Sequence, residues 1–326
     1  MKIHLAKRHD TILLRSVAIL LILNSHLDPF YPIPYIGTGG AIGNSLFFML
    51  SGFGLYLSTI SSQDTFRTYF KKRILRIYPS LWLALIALDI PLMFIVGTIH
   101  EKTIFEICRS FFLPPFWFLK AIIVYYVIFF SLIRNYTRNK LFLYVLGTLL
   151  IYILSYLFLI DLNSWSIEKL PFVLNFYLLF FFFGVFLGSI NNSLQYRGPT
   201  DYFMVIVFFI LIYFHKFLMT KGLLSQYQIV QHIFMFPLSY YLFRIARSPV
   251  ARDIMTSSLA PAVRNISKIT LEIYIVHTIL GRLRLYEHYQ FPTSIFIFLS
   301  ATFTVALLIN LTVARTKRFI IRNTCA

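Results

Sequence analysis

The chain of 326 residues contains only two cysteines, Cys108 and Cys325, and only 12 acidic residues. Two cysteines so far apart exclude a disulfide framework and a zinc site built from four cysteines. Charged residues make up 13% of the sequence and fall mostly between long apolar runs. No polar stretch is long enough to fold into a domain of its own. The sequence therefore excludes an ordinary soluble enzyme, and we expect no appended soluble domain.

Apolar and basic residues are both in excess in this sequence. It is 58% hydrophobic and 18% aromatic, with a mean hydropathy of +0.75. The net charge of +18 would suggest nucleic-acid binding in a soluble protein. In a chain this apolar, Lys and Arg in cytoplasmic loops explain the charge better. The composition thus predicts the lipid bilayer as a partner and no nucleic acid.

Hydropathy predicts an all-α polytopic membrane protein of about ten transmembrane helices, with residues 1–326 forming one integral-membrane domain. A spanning helix needs about 20 apolar residues. Ten segments meet this length, namely 11–29, 41–60, 80–98, 114–133, 141–160, 171–190, 201–219, 228–246, 268–286 and 293–313. The first is read as a retained span because no small-residue cleavage site follows it. Segment 99–113 is too polar to span and is expected at the interface or folded back.

The distribution of basic residues predicts the orientation. With the N-terminus inside, most of the 30 Lys and Arg residues fall in regions on the cytoplasmic side. An odd number of spans would move the basic C-terminal cluster outside. Both the N-terminus and the C-terminus are therefore expected in the cytoplasm.

The first predicted span carries an arginine near its start and a histidine at its end, in "LLRSVAILLILNSH". Arg15 and His26 are three helical turns plus about 20° apart, so both project from nearly one face, about 16 Å from each other along the axis. Taken by itself, Arg15 is typical of an arginine that reaches to the membrane surface and only sets the orientation of the span. His26 is different, because ionisable residues deep in spans are usually functional and imidazole is a common general base. A histidine satisfied by a neighbouring helix is the alternative.

A second basic cluster, "FRTYFKKRILRIYPSLW", leads into the third predicted span. Arg73 and Arg76 are three residues apart and hence neighbours on one side of a helix. Two guanidinium groups side by side suit a phosphate. Basic residues that only contact anionic lipid are the competing interpretation. A third pattern, "GVFLG" from Gly184 to Gly188, predicts close packing of two helices.

Five stretches together resemble acyltransferase family 3, a family of bacterial membrane-bound acyltransferases that modify surface glycans. They are "LRSVAILLILNSH", "LFFMLSGF", "KKRILRIYPSLW", "FWFL" and "EIYIVH". The resemblance covers essentially the whole chain and is most specific in residues 11–82. There the Arg-x10-His and Arg-x-x-Arg patterns occur in the family's order.

The resemblance implies a function. It is transfer of an acyl group, most simply acetyl, from cytoplasmic acyl-CoA to a sugar hydroxyl of a cell-surface or lipid-linked polysaccharide. The place of action would be the bacterial cytoplasmic (inner) membrane. His26 matches the family's catalytic histidine, and Arg15, Arg73 and Arg76 match its arginines, which we expect to bind the acetyl-CoA donor. No tightly bound cofactor is expected.

Two departures from the family pattern concern the acceptor side. Many members carry an acidic residue just before the "LFF" triplet, whereas Ser45 stands here, which puts a carboxylate role there in doubt. Some members carry an extracytoplasmic esterase-like domain that is not visible in this sequence. Delivery of the glycan acceptor is therefore expected to involve an envelope-assembly partner protein.

Other polar residues are weaker candidates. Trp117 matches the family's "WFL" and could contact the acceptor, although an aromatic residue near an interface is usually an anchor. Glu272 could line the cavity or pair with another helix. Glu272 and His277 lie about 140° apart on a helix and are no same-face pair. The remaining histidines show no metal-ligand spacing, so no metal site is expected.

Two other classes of function remain open from the residues alone. A secondary transporter or lipid-linked glycan flippase also needs about ten spans and charges facing a cavity. Against this, no matching pair of Gly/Pro-broken spans occurs in two halves, and the arginines gather at one end. A scaffold without chemistry would make His26 dispensable.

Overall fold

The computed structural model describes residues 9–60, 62, 64–101, 103–164 and 166–324, so that Cys325 lies outside the described residues. Within these ranges the protein is helical and has no strand. Its α-helices are α1 (His9–His26), α2 (Gly40–Thr59), α3 (Phe66–Ala84), α4 (Ile90–Val96), α5 (Ile104–Phe112), α6 (Trp117–Ile133), α7 (Arg138–Leu159), α8 (Phe172–Ser189), α9 (Pro199–Thr220), α10 (Ile229–Ile245), α11 (Pro249–Thr256), α12 (Ala260–Lys268), α13 (Thr270–Leu280), α14 (Leu285–His288) and α15 (Thr293–Thr324). The prediction of an all-α protein is confirmed for this part of the chain.

Each of the ten predicted apolar segments coincides with a helix, but the helices differ in length. Among the described residues, six are long and apolar enough to cross a membrane: Gly40–Thr59, Phe66–Val96, Arg138–Leu159, Phe172–Ser189, Pro199–Thr220 and Thr293–Arg318. A seventh arises if α5 and α6, which meet at a bend of 44°, count as one span. The protein is thus a multi-pass membrane protein by length and composition, and the count of ten stays a prediction.

The third predicted span is part of a longer helical path than its apolar run suggested. Helix α3 continues through a π-helical segment, Leu85–Asp89, into α4. Pro91, which has no N–H to donate, stands just after the π-helical segment, where the backbone hydrogen-bond pattern changes. The basic cluster around Arg73 and Arg76 therefore lies on the same helical path as the span that follows it.

The chain divides into two compact units. The first contains Met1–Ala18, Ala41–Gln63 and Val127–Arg264, and the second contains Ile19–Gly40, Asp64–Tyr126 and Asn265–Ala326. Helix α1 contributes its first half to the first unit and its second half to the other.

In the first unit, α2 and α8 approach so closely that glycine is required on both. A Cβ atom on Gly52 would collide with the carbonyl oxygen of Phe181, and one on Gly184 with that of Met49. At Gly188 a Cβ atom would come within 2.8 Å of the Tyr56 ring. The packing role predicted for the "GVFLG" pattern is what this contact requires.

Also in the first unit, two arginines at the end of α10 bind the ends of neighbouring helices. Arg244 and Asp201 form an ion pair of 3.0 Å whose side chains are only 5% and 1% exposed. Arg247 pairs with Asp10 at the start of α1, also at 3.0 Å, and donates to the backbone carbonyl of Leu194. These contacts join the starts of α1 and α9 to the end of α10.

In the second unit, α3, α13 and α15 pack against one another. Ser80 donates to Glu272 at 2.7 Å. Further along both helical paths, Asp89 pairs with Arg282. Both partners move forward in sequence between the two contacts, so the path from α3 to α4 and helix α13 run in the same direction. Asn310 of α15 also donates to Glu272, and Lys317, further along α15, donates to the carbonyl oxygen of Leu75, which precedes Ser80. Helix α15 therefore runs in the opposite direction.

Helix α5 lies within the segment predicted to be interfacial. It begins with a capping box between Thr103 and Glu106, and none of its described side chains is buried. Side chains of α3 cap its other end, because Trp82 Nε1 donates to the Phe111 carbonyl oxygen at 2.9 Å and the Tyr78 hydroxyl to that of Phe112 at 2.6 Å. An apolar, exposed helix of this kind fits the expected interfacial position.

Candidate active site

His26 is the last residue of α1, and the chain after it folds back over the helix end. The Asn24 amide holds this return: its Nδ2 donates to the carbonyl oxygens of Ile36 and Thr38 at 2.8 and 2.9 Å. The Tyr31 hydroxyl donates to Asn24 Oδ1 at 2.8 Å. With all three bonds made, the asparagine fixes the last turn of α1 and with it the start of the His26 side chain.

The His26 side chain is exposed and lies against a second histidine. Its ring centroid is 4.7 Å from that of His277, with the ring planes tilted by 56°. His277 is 1% exposed. Within the described residues neither ring nitrogen of His26 makes a hydrogen bond, so both can reach a substrate. A base must be able to touch the proton that it removes, and His26 meets that condition.

The paired arginines occupy one side of α3. Arg73 is half-buried, with its guanidinium carbon 5.0 Å from the centroid of the Tyr69 ring, whereas Arg76 is exposed. Arg76 makes no hydrogen bond or ion pair with any described residue. The neighbouring Lys72 differs, because it pairs with Asp64 at 2.7 Å. Of the paired arginines, Arg76 is therefore the one more exposed to an anionic ligand.

Glu272 connects the arginine-bearing helix to the histidine-bearing one. Ser80, one turn beyond Arg76, donates to Glu272 Oε1, which also accepts from Asn310 Nδ2 at 3.1 Å. The carboxylate is buried, with 4% exposure. Its other oxygen, Oε2, has no hydrogen-bond partner among the described residues. Glu272 thus bonds two neighbouring helices, α3 and α15, through one oxygen, while the second oxygen is buried without a partner among the described residues.

The parallel course of α3 and α13 gives the spacing between the arginines and the histidines. Arg76 precedes Ser80 by four residues, and Glu272 precedes His277 by five. Because the two helices meet at Ser80 and Glu272 and run the same way, the rises add to about 14 Å. The arginine pair and the histidine pair therefore mark two ends of one stretch within the second unit.

Next to the histidines, a row of aromatic rings leads to Trp117 at the start of α6. The Tyr274 ring lies 5.4 Å from the His277 ring and 4.8 Å from that of Phe118, which lies 6.1 Å from Trp117. Trp117 is half-buried. Of the predicted site residues, His26, Arg73, Arg76, Trp117 and Glu272 therefore all belong to the second unit.

Arg15 belongs to the first unit. It is half-buried on α1, and its Nη2 lies 3.7 Å from where a Cβ atom on Gly54 would stand. Ser45, at the position where many family members are acidic, is fully buried, with its hydroxyl 4.0 Å from the Met235 sulfur. A carboxylate at this position would be buried, and neither of these contacts would supply a positive charge to pair with it. The small, uncharged Ser45 side chain is therefore compatible with the packing here.

His277 is the functional candidate that the sequence argument missed. Its motif, "EIYIVH", was recognised, but the histidine was weighed only against Glu272 on its own helix. Its contact with His26 joins residues 251 positions apart and cannot be read from spacing. Among the described residues no group of three or more His, Cys, Asp or Glu side chains could hold a metal.

The candidate site thus combines a histidine with open nitrogens, a buried imidazole behind it and arginines at the other end of the stretch. In a comparison with family models, the acyltransferase domain of acyltransferase family 3 matches residues 9–311. The chain belongs to that family, which supports a membrane acyltransferase. Comparisons with curated proteins and with solved structures give no match.

Proposed function

We propose that this protein is an O-acyltransferase of the bacterial cytoplasmic membrane. It moves an acyl group, in the simplest case acetyl, from cytoplasmic acyl-CoA to a sugar hydroxyl of a cell-surface or lipid-linked polysaccharide. The observation that carries this proposal is the exposed His26 ring, with both nitrogens unbonded in the described residues, in a chain of acyltransferase family 3.

The donor binds at the arginine end. Coenzyme A carries several phosphate groups, and guanidinium groups bind phosphate through paired hydrogen bonds. Arg73 and Arg76 supply two of them within the second unit, and Arg15, in the first unit, is the third arginine that the family resemblance assigns to the donor. A long, thin thioester arm suits the distance of about 14 Å along the helix axes from Arg76 to His277, because the phosphates and the reacting carbonyl then lie at opposite ends of the donor.

The chemistry takes place at His26. Its ring accepts the proton of the sugar hydroxyl, and the oxygen attacks the thioester carbonyl. The tetrahedral intermediate then expels the thiolate, which takes up the proton from the imidazolium. The carbonyl end of α1, where His26 stands, stabilises the positive charge that the ring carries between these two steps.

The acceptor binds beside the histidines. Trp117 offers a flat ring for the sugar face. Glu272, whose Oε2 is buried, supports the acceptor side from behind, by holding α13 against α3 through Ser80. A partner protein of envelope assembly presents the glycan. The proposed topology has ten spans with both chain ends in the cytoplasm, so the donor enters from the cytoplasm and the acceptor from the opposite side.

The proposal is tested by mass spectrometry of surface glycans from cells with and without the protein. An acetyl-sized mass difference that depends on the protein is the expected result. A flippase would change the amount of glycan at the surface but not the mass of its repeating unit. If the glycans from cells with and without the protein had the same mass, with no difference the size of any acyl group, an acyltransferase role on these glycans would be contradicted.

Topology gives a second test, for which the two native cysteines serve as reporters. Cys108 is exposed on α5 and free, and the ten-span topology puts it outside the cytoplasm and Cys325 inside. A membrane-impermeant maleimide should label Cys108 in intact spheroplasts and Cys325 only after permeabilisation. Single cysteines introduced at 61–76 and 134–140 should behave like Cys325. Labelling of Cys325 from outside would rule out the ten-span topology.

Donor binding gives a third test. Arg76→Ala should weaken coenzyme A binding by about 10- to 100-fold, because a hydrogen bond to a charged group is worth about 1.5–3 kcal/mol. Isothermal titration of the purified chain with coenzyme A measures this. Arg76→Lys should restore only part of the affinity, since an ammonium lacks the guanidinium fork.

Lys71→Ala is the matched control, because it removes one exposed positive charge from the same helix without removing a guanidinium. Arg73→Ala should weaken binding as well, although it also removes the contact with Tyr69. Equal affinity in Arg76→Ala and the parent protein would return this residue to the role of an orientation signal.

A further inference from the structure

The mechanism proposed above leaves one buried titratable group unused, namely His277. Its ring forms the wall against which the His26 ring lies, with 4.7 Å between the centroids. A buried polar side chain is costly unless it is satisfied. Since a phenylalanine would fill the same space more cheaply, the imidazole needs an explanation beyond packing.

The hydrogen bonds of His277 determine which ring nitrogen carries the proton. Nδ1 lies 2.9 Å from the carbonyl oxygen of Ile273. A carbonyl oxygen only accepts, so Nδ1 must donate its proton. A charge on a ring that is only 1% exposed is costly, so the imidazole is neutral. A neutral imidazole has a single N–H, which leaves Nε2 with a lone pair.

That lone pair has no strong donor in its surroundings. The Thr278 hydroxyl is 3.5 Å from Nε2, but it donates its only proton to the Tyr274 carbonyl oxygen at 2.9 Å. The flanking Val276 is fully buried and apolar. Within the described residues His277 is therefore an uncharged ring with an electron pair to offer, and its nearest ionisable neighbour is His26.

We propose that His277 is a positioning residue for His26. It fixes the plane of the His26 ring, which lies against it with 4.7 Å between the centroids. The lone pair on Nε2 stabilises the positive charge that His26 carries after it takes the hydroxyl proton. The arrangement follows the general pattern in which a base is oriented by a third group. This inference rests on the proposed function, because it assumes that His26 becomes protonated during transfer.

The test replaces His277 with Phe or with Gln in the full-length chain. Phenylalanine keeps a ring of similar size but offers no nitrogen, whereas the glutamine amide restores an acceptor oxygen. Initial rates of radiolabelled acetyl transfer from acetyl-CoA to glycan in isolated membranes give kcat and the KM for acetyl-CoA. We expect His277→Phe to lower kcat about 10- to 100-fold, the range typical of groups that orient a reactive ligand, with KM unchanged. His277→Gln should recover part of the loss.

His232→Phe is the matched control, since His232 is also buried, stacks on Phe176 and bonds Tyr152. Its kcat per folded molecule should equal that of the parent. If His277→Phe does not fold, His277→Met, which also lacks a nitrogen, takes its place in the comparison with Gln. The inference would be overturned if His277→Phe, or His277→Met in its place, had the kcat of the parent. It would also be overturned if that variant and His277→Gln lost the same fraction of kcat.

The outcome also separates the inference from the proposed function. An inactive His26→Ala together with a fully active His277→Phe would leave the proposed function standing and refute only the role of His277. An active His26→Ala would refute the proposed function itself. In the double variant His26→Ala/His277→Phe we expect no loss beyond that of His26→Ala, because residues that act as one unit are not additive.

Discussion

Replacing His26 with alanine is expected to abolish glycan acylation while the protein still reaches the membrane and binds coenzyme A. Loss of a general base typically lowers a rate by about 10²- to 10⁴-fold, which is enough to erase a surface modification. The side chain is exposed at the end of α1 and makes no hydrogen bond to a described residue. Its removal should therefore leave the fold almost unchanged.

The measurement compares the acetyl content of surface glycans and the initial transfer rate in membranes, each normalised to the amount of folded protein. His26→Gln should be as inactive as His26→Ala, since an amide forms hydrogen bonds but does not take up a proton at neutral pH. His288→Ala, which removes an exposed histidine from α14, is the control and should keep the parent rate. A folded His26→Ala protein that acylates at the parent rate would refute the catalytic assignment.

The same variant distinguishes the two ways in which the imidazole could act. A base transfers only a proton, whereas an acyl carrier would hold the acetyl group on its ring nitrogen for part of the cycle. Incubation of the parent protein with acetyl-CoA alone, followed by rapid quenching and peptide mass spectrometry, looks for an acetyl-sized increase on the peptide that contains His26. The base mechanism predicts an unmodified peptide.

Asp201→Ala is expected to cause the largest loss of stability among single substitutions at charged positions described above. The carboxylate is 1% exposed and pairs with a guanidinium that is 5% exposed. Removing it leaves Arg244 buried with a positive charge and no counter-ion, which typically costs about 3–5 kcal/mol. The start of α9 also loses an acceptor, because Asp201 Oδ2 binds the backbone N–H of Arg197 at 2.9 Å.

Thermal unfolding of the purified protein in detergent measures this loss as a lowered melting temperature. Asp64→Ala is the matched control: it breaks the pair with Lys72, whose side chain is 53% exposed, and such pairs contribute about 0–1 kcal/mol. Asp201→Ala combined with Arg244→Met should recover part of the loss, since no unpaired charge then remains. Equal melting temperatures for Asp201→Ala and Asp64→Ala would show that the buried pair contributes no more than the exposed one.

The sequence predicted the positions of the helices well because a single physical property, a run of apolar residues, determines them. Helix α2 occupies 40–59 where 41–60 was predicted, and α8 occupies 172–189 where 171–190 was predicted. Helix α13 spans only 270–280 within the predicted 268–286, because a 3₁₀ turn follows it. Hydropathy does not register such a change in backbone hydrogen bonding.

The partners of the candidate site residues could not be predicted, because they depend on which helices touch. Glu272 was expected to line a cavity or to bond another helix. Its bonds to Ser80 and Asn310 cross 192 and 38 residues of sequence. Arg244 was counted only as one of many cytoplasmic charges, yet it is buried and paired. Periodicity places a side chain on a helix face, but it does not reveal what that face meets.

Because His26 is the last residue of α1, the number of residues in that helix determines where the imidazole lies and which way it points. A single residue inserted anywhere between Arg15 and His26 would turn the imidazole by about 100° and advance it by about 1.5 Å, away from the ring of His277. Most substitutions in the same stretch change neither quantity. Homologous chains should therefore keep the number of residues between Arg15 and His26 constant even where exposed residues of the stretch differ, and the loop held by Asn24 should contain whatever insertions this end of the protein has accepted.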